Sequence, residues 1–159
     1  MADAEALLDW RNDPVTRAMS GGSDVISRVQ HMAWLGRRLA DPDSLLLIGE
    51  RGGAACGMVR FDRGASGAAE VSINVAPGSR SQGLGFELLR LGCDECIARG
   101  FAHSLTARIR PANRASLRIF QRAGFRLRDL SDPEMLVLRR EPATPAAPRS
   151  GAPHVDSNA

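Results

Sequence analysis

Apolar residues along this chain recur first at helical spacing and then at strand spacing. Between Ala4 and about Arg11, Leu7, Leu8 and Trp10 fall on one side of a short helix that Asn12-Asp13-Pro14 ends. Val29, Met32, Ala33, Leu35 and Leu39 repeat at the same period, which predicts a second helix capped by Ser23 or Ser27 and stopped at Asp41-Pro42. From Ser44 the period shortens. Leu45-Leu46-Leu47-Ile48 is an apolar run bounded by Gly49 to Gly53, a strand entering a turn, with Ala55 to Asp62 as its hairpin partner. After the small residues from Gly64 to Gly67, Glu70-Val71-Ser72-Ile73-Asn74-Val75 alternates as a half-buried strand does, and stops at Pro77.

The loop from Gly78 to Gln82 leads into a helix from about Gly83 to Arg99, whose Leu88, Leu89, Cys96 and Ile97 would face a sheet and which Gly100 ends. His103 to Ile109 reads as a strand, Asn113 to Ala123 as a helix closed by Gly124, and Phe125 to Leu130 with Met135 to Leu138 as a last strand pair. The predicted order is β-β-β-α-β-α-β-β after two helices, an α/β domain over 1–141. Past Glu141 the chain is rich in Pro and Ala, with Val155 as its one sizeable apolar side chain, so 142–159 is predicted to be a disordered tail.

Composition narrows the function classes. With 159 residues, 43% of them hydrophobic and 25% charged, the chain supports one globular domain with a core. The net charge is +3, and every basic residue other than His is Arg, for the sequence has no Lys, a bias that genomic composition explains more simply than chemistry. Aromatics make up 4% and acidic residues are spread throughout, which argues against nucleic acid as a partner. No apolar run approaches the ~18 residues of a membrane span, and the N-terminus lacks the pattern of a signal peptide. A cytoplasmic location is expected. Cys93 and Cys96 form a C-x-x-C inside a helical pattern, where buried packing thiols are the expectation rather than zinc or redox chemistry, and no metal is expected.

Two segments carry the chemistry. Arg80-Ser81-Gln82-Gly83-Leu84-Gly85 follows a strand and opens a helix, where Gly allows close backbone approach and the helix start favours a phosphate. It is neither a Walker loop nor a full G-x-G-x-x-G, since the third Gly position is Leu88. Downstream, Asn113-Arg114-Ala115-Ser116 opens a helix that runs through Phe120 to Gly124-Phe125. In this order and separation the two motifs resemble those of the GNAT superfamily of N-acetyltransferases, over about residues 4–140.

The resemblance implies the acyl-CoA N-acyltransferase fold, a mixed and mostly antiparallel sheet splayed at the cofactor site and flanked by helices, with acetyl-CoA as co-substrate and a small-molecule amine as acceptor. It implies that the backbone at Asn74 and Val75 binds the pantetheine arm. Arg80, Ser81, Gln82, Gly83, Leu84 and Gly85 would hold the pyrophosphate, while Asn113, Ser116 and Phe120 would line the other side. Glu70 is the candidate base, acting through water, because a protonated amine has no lone pair with which to attack. Many family members carry Tyr seven residues after the Asn, where this chain has Phe120 and no Tyr anywhere. Ser116, one turn earlier on the same face, is then the candidate proton donor to the thiolate.

Trp10-Arg11-Asn12-Asp13, Arg17 and His31-x-x-Trp34 resemble a branch that includes acetyltransferases of nucleotide-linked 4-amino sugars in pseudaminic acid synthesis and shades into ribosomal-protein acetyltransferases. There Arg11, Arg17, His31 and Trp34 would form an acceptor wall, against the plainer reading of core tryptophans and locally paired arginines. Three alternatives stay open: a protein N-terminus as acceptor, a CoA-binding sensor without turnover, and a Rossmann-type nucleotide site, which the three preceding antiparallel strands disfavour. The family's usual first strand has no counterpart before the first helix. The strand at 45–49 is therefore expected to be an exposed edge open to homodimer formation, unless the true start lies upstream.

Overall fold

The computed structural model describes residues 2–20 and 24–141. The candidate cap Ser23 and the expected tail at 142–159 lie outside the described residues. Three helices open the chain instead of two. Helix α1 spans Ala2–Asn12, α2 spans Pro14–Met19 and α3 spans Arg28–Ala40. The Asn-Asp-Pro segment expected to end a helix also starts one: Pro14 sits at the first helical position and the Asp13 carboxylate accepts from the Thr16 N–H at 2.9 Å. Ser27 caps α3 in a capping box with Gln30. Asn12 clips the connection between α2 and α3, donating to the Ile26 carbonyl at 2.9 Å and accepting from its N–H at 2.8 Å.

Strands β1 (Ser44–Arg51) and β2 (Ala54–Arg63) form the expected hairpin, turned by Gly52 and Gly53 at φ 60° and 79°. Then come β3 (Ala68–Val75), α4 (Leu84–Ala98), β4 (Ser104–Ile109), α5 (Arg114–Arg122), β5 (Arg126–Asp129) and β6 (Leu136–Arg140). The element order is as expected from β1 onward. The sheet runs β1-β2-β3-β4-β6-β5 and is antiparallel except between β3 and β4. The last hairpin therefore inserts β6, rather than β5, beside β4.

Alternation along the strands assigns the two faces. Val59, Phe61, Ala69, Val71, Leu105, Ala107, Ile109 and Leu138 face α4 and α5, with Leu89, Cys93, Cys96, Phe120 and Phe125 packed over them. The opposite face, with Leu46, Ile48 and Met58, is covered by the N-terminal helices through Ala4, Leu7, Trp10 and Leu35. Trp10 is thus a core residue. Leu88, which stands where a dinucleotide fingerprint would have its third Gly, touches Gly49 and Gly57 of the hairpin. A Cβ on Gly57 would lie 2.6 Å from Leu88 Cδ2 and 2.9 Å from the Asn74 carbonyl oxygen. Backbone cannot yield as a side chain can. Gly57→Ala is expected to cost ~1–3 kcal/mol, read as a lowered denaturant midpoint at constant slope; an unchanged midpoint would mean that α4 sits farther from the hairpin than described.

Candidate active site

Strands β3 and β4 are paired only from Ala68 with Ser104 to Glu70 with Thr106. Beyond that rung β3 stays with β2 as far as Val75, and β4 stays with β6 as far as Ile109. The sheet therefore forks after Glu70. Backbone groups on the facing sides of 71–75 and 107–109 are left without ladder partners, which a ligand bearing amides can use.

A cavity of about 410 Å³, within the range of small-molecule sites, opens at this fork. Glu70, Ser72 and Asn74 line it from β3, and Met58 and Arg60 from β2. Arg108 and Arg110 at the end of β4, with Asn113, Ser116 and Phe120 of α5, close the other side. The N-terminal helices supply Leu7, Arg11, Thr16, His31 and Trp34. Among the described residues that line it, Glu70 is the one carboxylate, against Arg11, Arg60, Arg108 and Arg110.

Of the residues singled out in the sequence, the fold brings together Glu70, Asn74, Asn113, Ser116, Phe120, Arg11, His31 and Trp34 around this cavity. Arg17 and Val75 do not line it. Glu70 is exposed and sits on the last paired rung, between Asp62 and Thr106. Asn113 caps α5, its side-chain oxygen accepting from the Ser116 N–H at 3.1 Å, and so fixes the first turn that presents Ser116. Phe120 is 2% exposed and meets Phe125 edge to face at 4.9 Å, so where a Tyr would offer a hydroxyl this position contributes only packing.

The segment from Arg80 to Gly85 lies past the end of β3 and leads into α4. Ser81 and Gly83 both adopt left-handed backbone, at φ 61° and 78°, and Gly83 is the residue from which α4 starts. The first amides of a helix have no intrahelical acceptor and carry its positive end. A Cβ on Gly83 would meet nothing within 4 Å, so the space before the helix is open to a phosphate. Residues at the fork and at this loop fit an acyl-CoA. Arg80, however, turns to the protein: it donates to Asp13 Oδ2 and Thr16 Oγ at 2.7 Å each and to the Val75 carbonyl at 3.3 Å. Thr16 in turn donates to Asn74 Oδ1 at 3.3 Å. The Asp13 carboxyl is held below its ordinary value, first by the Thr16 backbone N–H and then by Arg80.

Sequence reasoning missed Arg60 and Asp62. Arg60 donates from Nε to Asp62 at 2.8 Å and lays its guanidinium over the Trp34 ring at 5.4 Å. The signal was Arg60-x-Asp62, polar positions alternating with buried Val59 and Phe61 on one strand. Among the described residues, no group of three His, Cys, Asp or Glu could hold a metal ion. No helix among them is long and apolar enough to cross a membrane.

Cys93 and Cys96 are both fully buried and free. Burial pushes the Cys93 thiol up to about 12 and that of Cys96 up to about 11. An unfolded thiol ionises near ~8.5, so the thiols' contribution to stability is complete below that pH and is lost as pH rises toward 11 and 12. In a Cys56→Ser protein at pH 8, neither thiol should react with a disulfide reagent until denaturant is added; rapid modification of the folded protein would show the pair to be accessible.

Residues 1–126 match the description of an acetyltransferase (GNAT) domain. No curated protein matches the chain. Among solved structures, a ribosomal-protein-alanine N-acetyltransferase from Brucella melitensis is similar at 24% identity and TM-score 0.74, over 88% of this chain and 94% of its own. The yncA structure from Salmonella typhimurium, solved with its cofactor acetyl-CoA, is similar at 24% identity and TM-score 0.75, over 94% of each chain. The N-acetyltransferase PseH from Campylobacter jejuni, in complex with acetyl coenzyme A, shares 14% identity at TM-score 0.69, over 89% of this chain and 92% of its own.

Proposed function

Because the chain belongs to the GNAT family of acetyltransferases and is an acyltransferase that uses acetyl-CoA, we propose that it acetylates the primary amine of a small anionic acceptor, with a nucleotide-linked 4-amino sugar as the leading candidate. The observation that carries this reading is the cavity at the fork, where, among the described residues, a single carboxylate stands among four arginines. A guanidinium fork pairs well with phosphate or carboxylate oxygens. A basic peptide, by contrast, would meet like charges there.

When bound, acetyl-CoA supplies an activated acetyl thioester. The amide groups left unpaired along β3 orient the pantetheine arm, and the amides opening α4 hold the pyrophosphate. Glu70 accepts the proton of the attacking amine through water, and Ser116 gives a proton to the departing sulfur and regains one from solvent. A nitrogen–carbon bond forms and the carbon–sulfur bond breaks. Arg80 positions the site, its Nε, Nη1 and Nη2 donating to Val75, Asp13 and Thr16. A cytoplasmic site of action fits the use of acetyl-CoA. The second reading, a protein N-terminus as acceptor, draws on the likeness to the ribosomal-protein-alanine N-acetyltransferase from Brucella melitensis.

The deciding experiment is release of CoA from acetyl-CoA against UDP-linked 4-amino sugars, N-terminal peptides and polyamines, alongside calorimetric binding of CoA. Turnover confined to the anionic amines is expected; turnover of peptides alone would replace the acceptor, and failure to bind CoA would remove the reading altogether.

Two variants test the roles. Glu70→Gln should lower kcat on the order of 10²-fold while leaving CoA affinity unchanged; equal rates from pH 6 to 9 would strike Glu70 out as base. Gly83→Glu should abolish CoA binding, because the left-handed backbone disfavours a side chain there and the carboxylate would project into the phosphate's place. Retained affinity would move the pyrophosphate elsewhere.

A further inference from the structure

The wall of the cavity between β2 and α3 contains a stacked group of polar and aromatic side chains. His31 is 3% exposed, lines the cavity, and its Nε2 finds no hydrogen-bond partner among the described residues. A buried imidazole nitrogen without a partner is destabilising. Its ring lies against Trp34 at 5.6 Å between centroids. Trp34 also carries the Arg60 guanidinium on its face at 5.4 Å.

Arg60 is fixed before any ligand arrives. Asp62 takes its Nε, and Asp62 is itself held by Arg38 Nη1 at 3.1 Å and by the Ser44 hydroxyl at 3.3 Å. One carboxylate is thus divided between two guanidiniums. Because a guanidinium has five donors and Asp62 engages the Nε edge, Arg60 retains capacity for another oxyanion. Register sets its distance from the chemistry. Arg60 pairs with Ser72 and Asp62 pairs with Glu70, so Arg60 stands diagonally from Glu70 on the same face, roughly 7–8 Å away.

We infer that Arg60, Trp34 and His31 form an oxyanion-binding corner that selects the acceptor by a carboxylate or phosphate several bonds from its amine. The inference rests on the acetyl-transfer reading and adds to it the residues that choose the substrate. Trp34 keeps the guanidinium flat and partly dehydrated, which strengthens its bond to an incoming anion. His31 backs the Trp34 ring at 5.6 Å between centroids and so registers an anion that settles on Arg60. Diagonal spacing then places the acceptor's amine over the fork beside Glu70.

The test uses the whole chain saturated with CoA, so that its pyrophosphate site is occupied. Glucose 6-phosphate, glucuronate and glucose are titrated as matched phosphate, carboxylate and neutral probes, with Trp fluorescence and the ¹⁵N resonances of the His31 imidazole as readouts. Saturable binding of at least one anionic probe that shifts His31 is expected, with none for glucose; the phosphate and carboxylate arms decide which oxyanion is preferred. Arg60→Gln should weaken that probe by about tenfold or more, and Arg60→Lys should not restore it fully. CoA affinity should be the same in all three proteins. Glucose binding as well as the anions, no probe binding at all, or an Arg60→Gln protein of unchanged affinity would each overturn the corner. Loss of CoA binding in the unaltered protein would instead overturn acetyl transfer, while the sugar titration would still report on Arg60.

Discussion

The parallel pairing of β3 with β4 lasts from Ala68 to Glu70, and the site takes its place from where it stops. Parallel strands joined by a helix have no turn to force their register along the full length, so packing decides how far they run together. Here two separate packings pull the strands apart. The β1–β2–β3 half is clamped to α4 by Leu88 lying on Gly49 and Gly57, and by Gly92, whose Cβ position lies 3.2 Å from Val59. The β4–β6 half is held under α5 by Phe120, Phe125 and Leu138. Arg122 stacks on Phe86 at 4.1 Å and ties α5 to α4 at the same end. A wedge fixed in this way is an unfilled ladder with rigid sides, and rigid sides are what an acyl-CoA amide chain needs in order to bind at low entropic cost.

The loop before α4 and the short helix α2 are coupled through Arg80. Its contacts reach α2 at Asp13 and Thr16 and the end of β3 at Val75. No residue of α2 is buried, so that short helix has little hydrophobic area to hold it against the cavity. The ion pair and cap around Asp13 replace that area. A rearrangement of the loop before α4 would therefore be felt by Thr16 and, through it, by the Asn74 side chain in the cavity wall.

Much of this was readable because it is local. Alternation in 70–75 shows which β3 residues share a face, and the Gly spacing at 83 and 85 shows where a helix must begin close to a ligand. Ser27 and Asn113 are cap residues by type and position. What was not readable depends on partners far away in the chain. Whether Asn12-Asp13-Pro14 ends a helix or begins one is decided by Thr16 and Arg80, and Pro suits both readings. The insertion of β6 between β4 and β5 is a choice of edge that no local pattern records. Arg60 and Asp62 alternate as a solvent-facing pair would, and only α3, bringing Trp34 and His31 over them, makes that face the wall of a cavity. Leu88 ruled out a dinucleotide fingerprint, yet the close helix approach that a third Gly gives was supplied from the other side by Gly49 and Gly57.

The electrostatics of the cavity bear on the reaction as well as on recognition. Bringing an ammonium among Arg11, Arg60, Arg108 and Arg110 sets like charges together, which disfavours its protonated form and lowers its pKa. An amine held among these arginines is therefore easier to deprotonate than in water. Arginine cannot take the released proton, since its own pKa keeps it charged throughout. Among the described residues, Glu70 is the one carboxylate in that lining, facing these arginines. A lysine in any of these places would be a nucleophile in its own right, held near the thioester and open to acetylation. The chain contains no Lys, so the side-chain cations of this lining among the described residues are arginines, and no lysine amine stands there as a rival nucleophile.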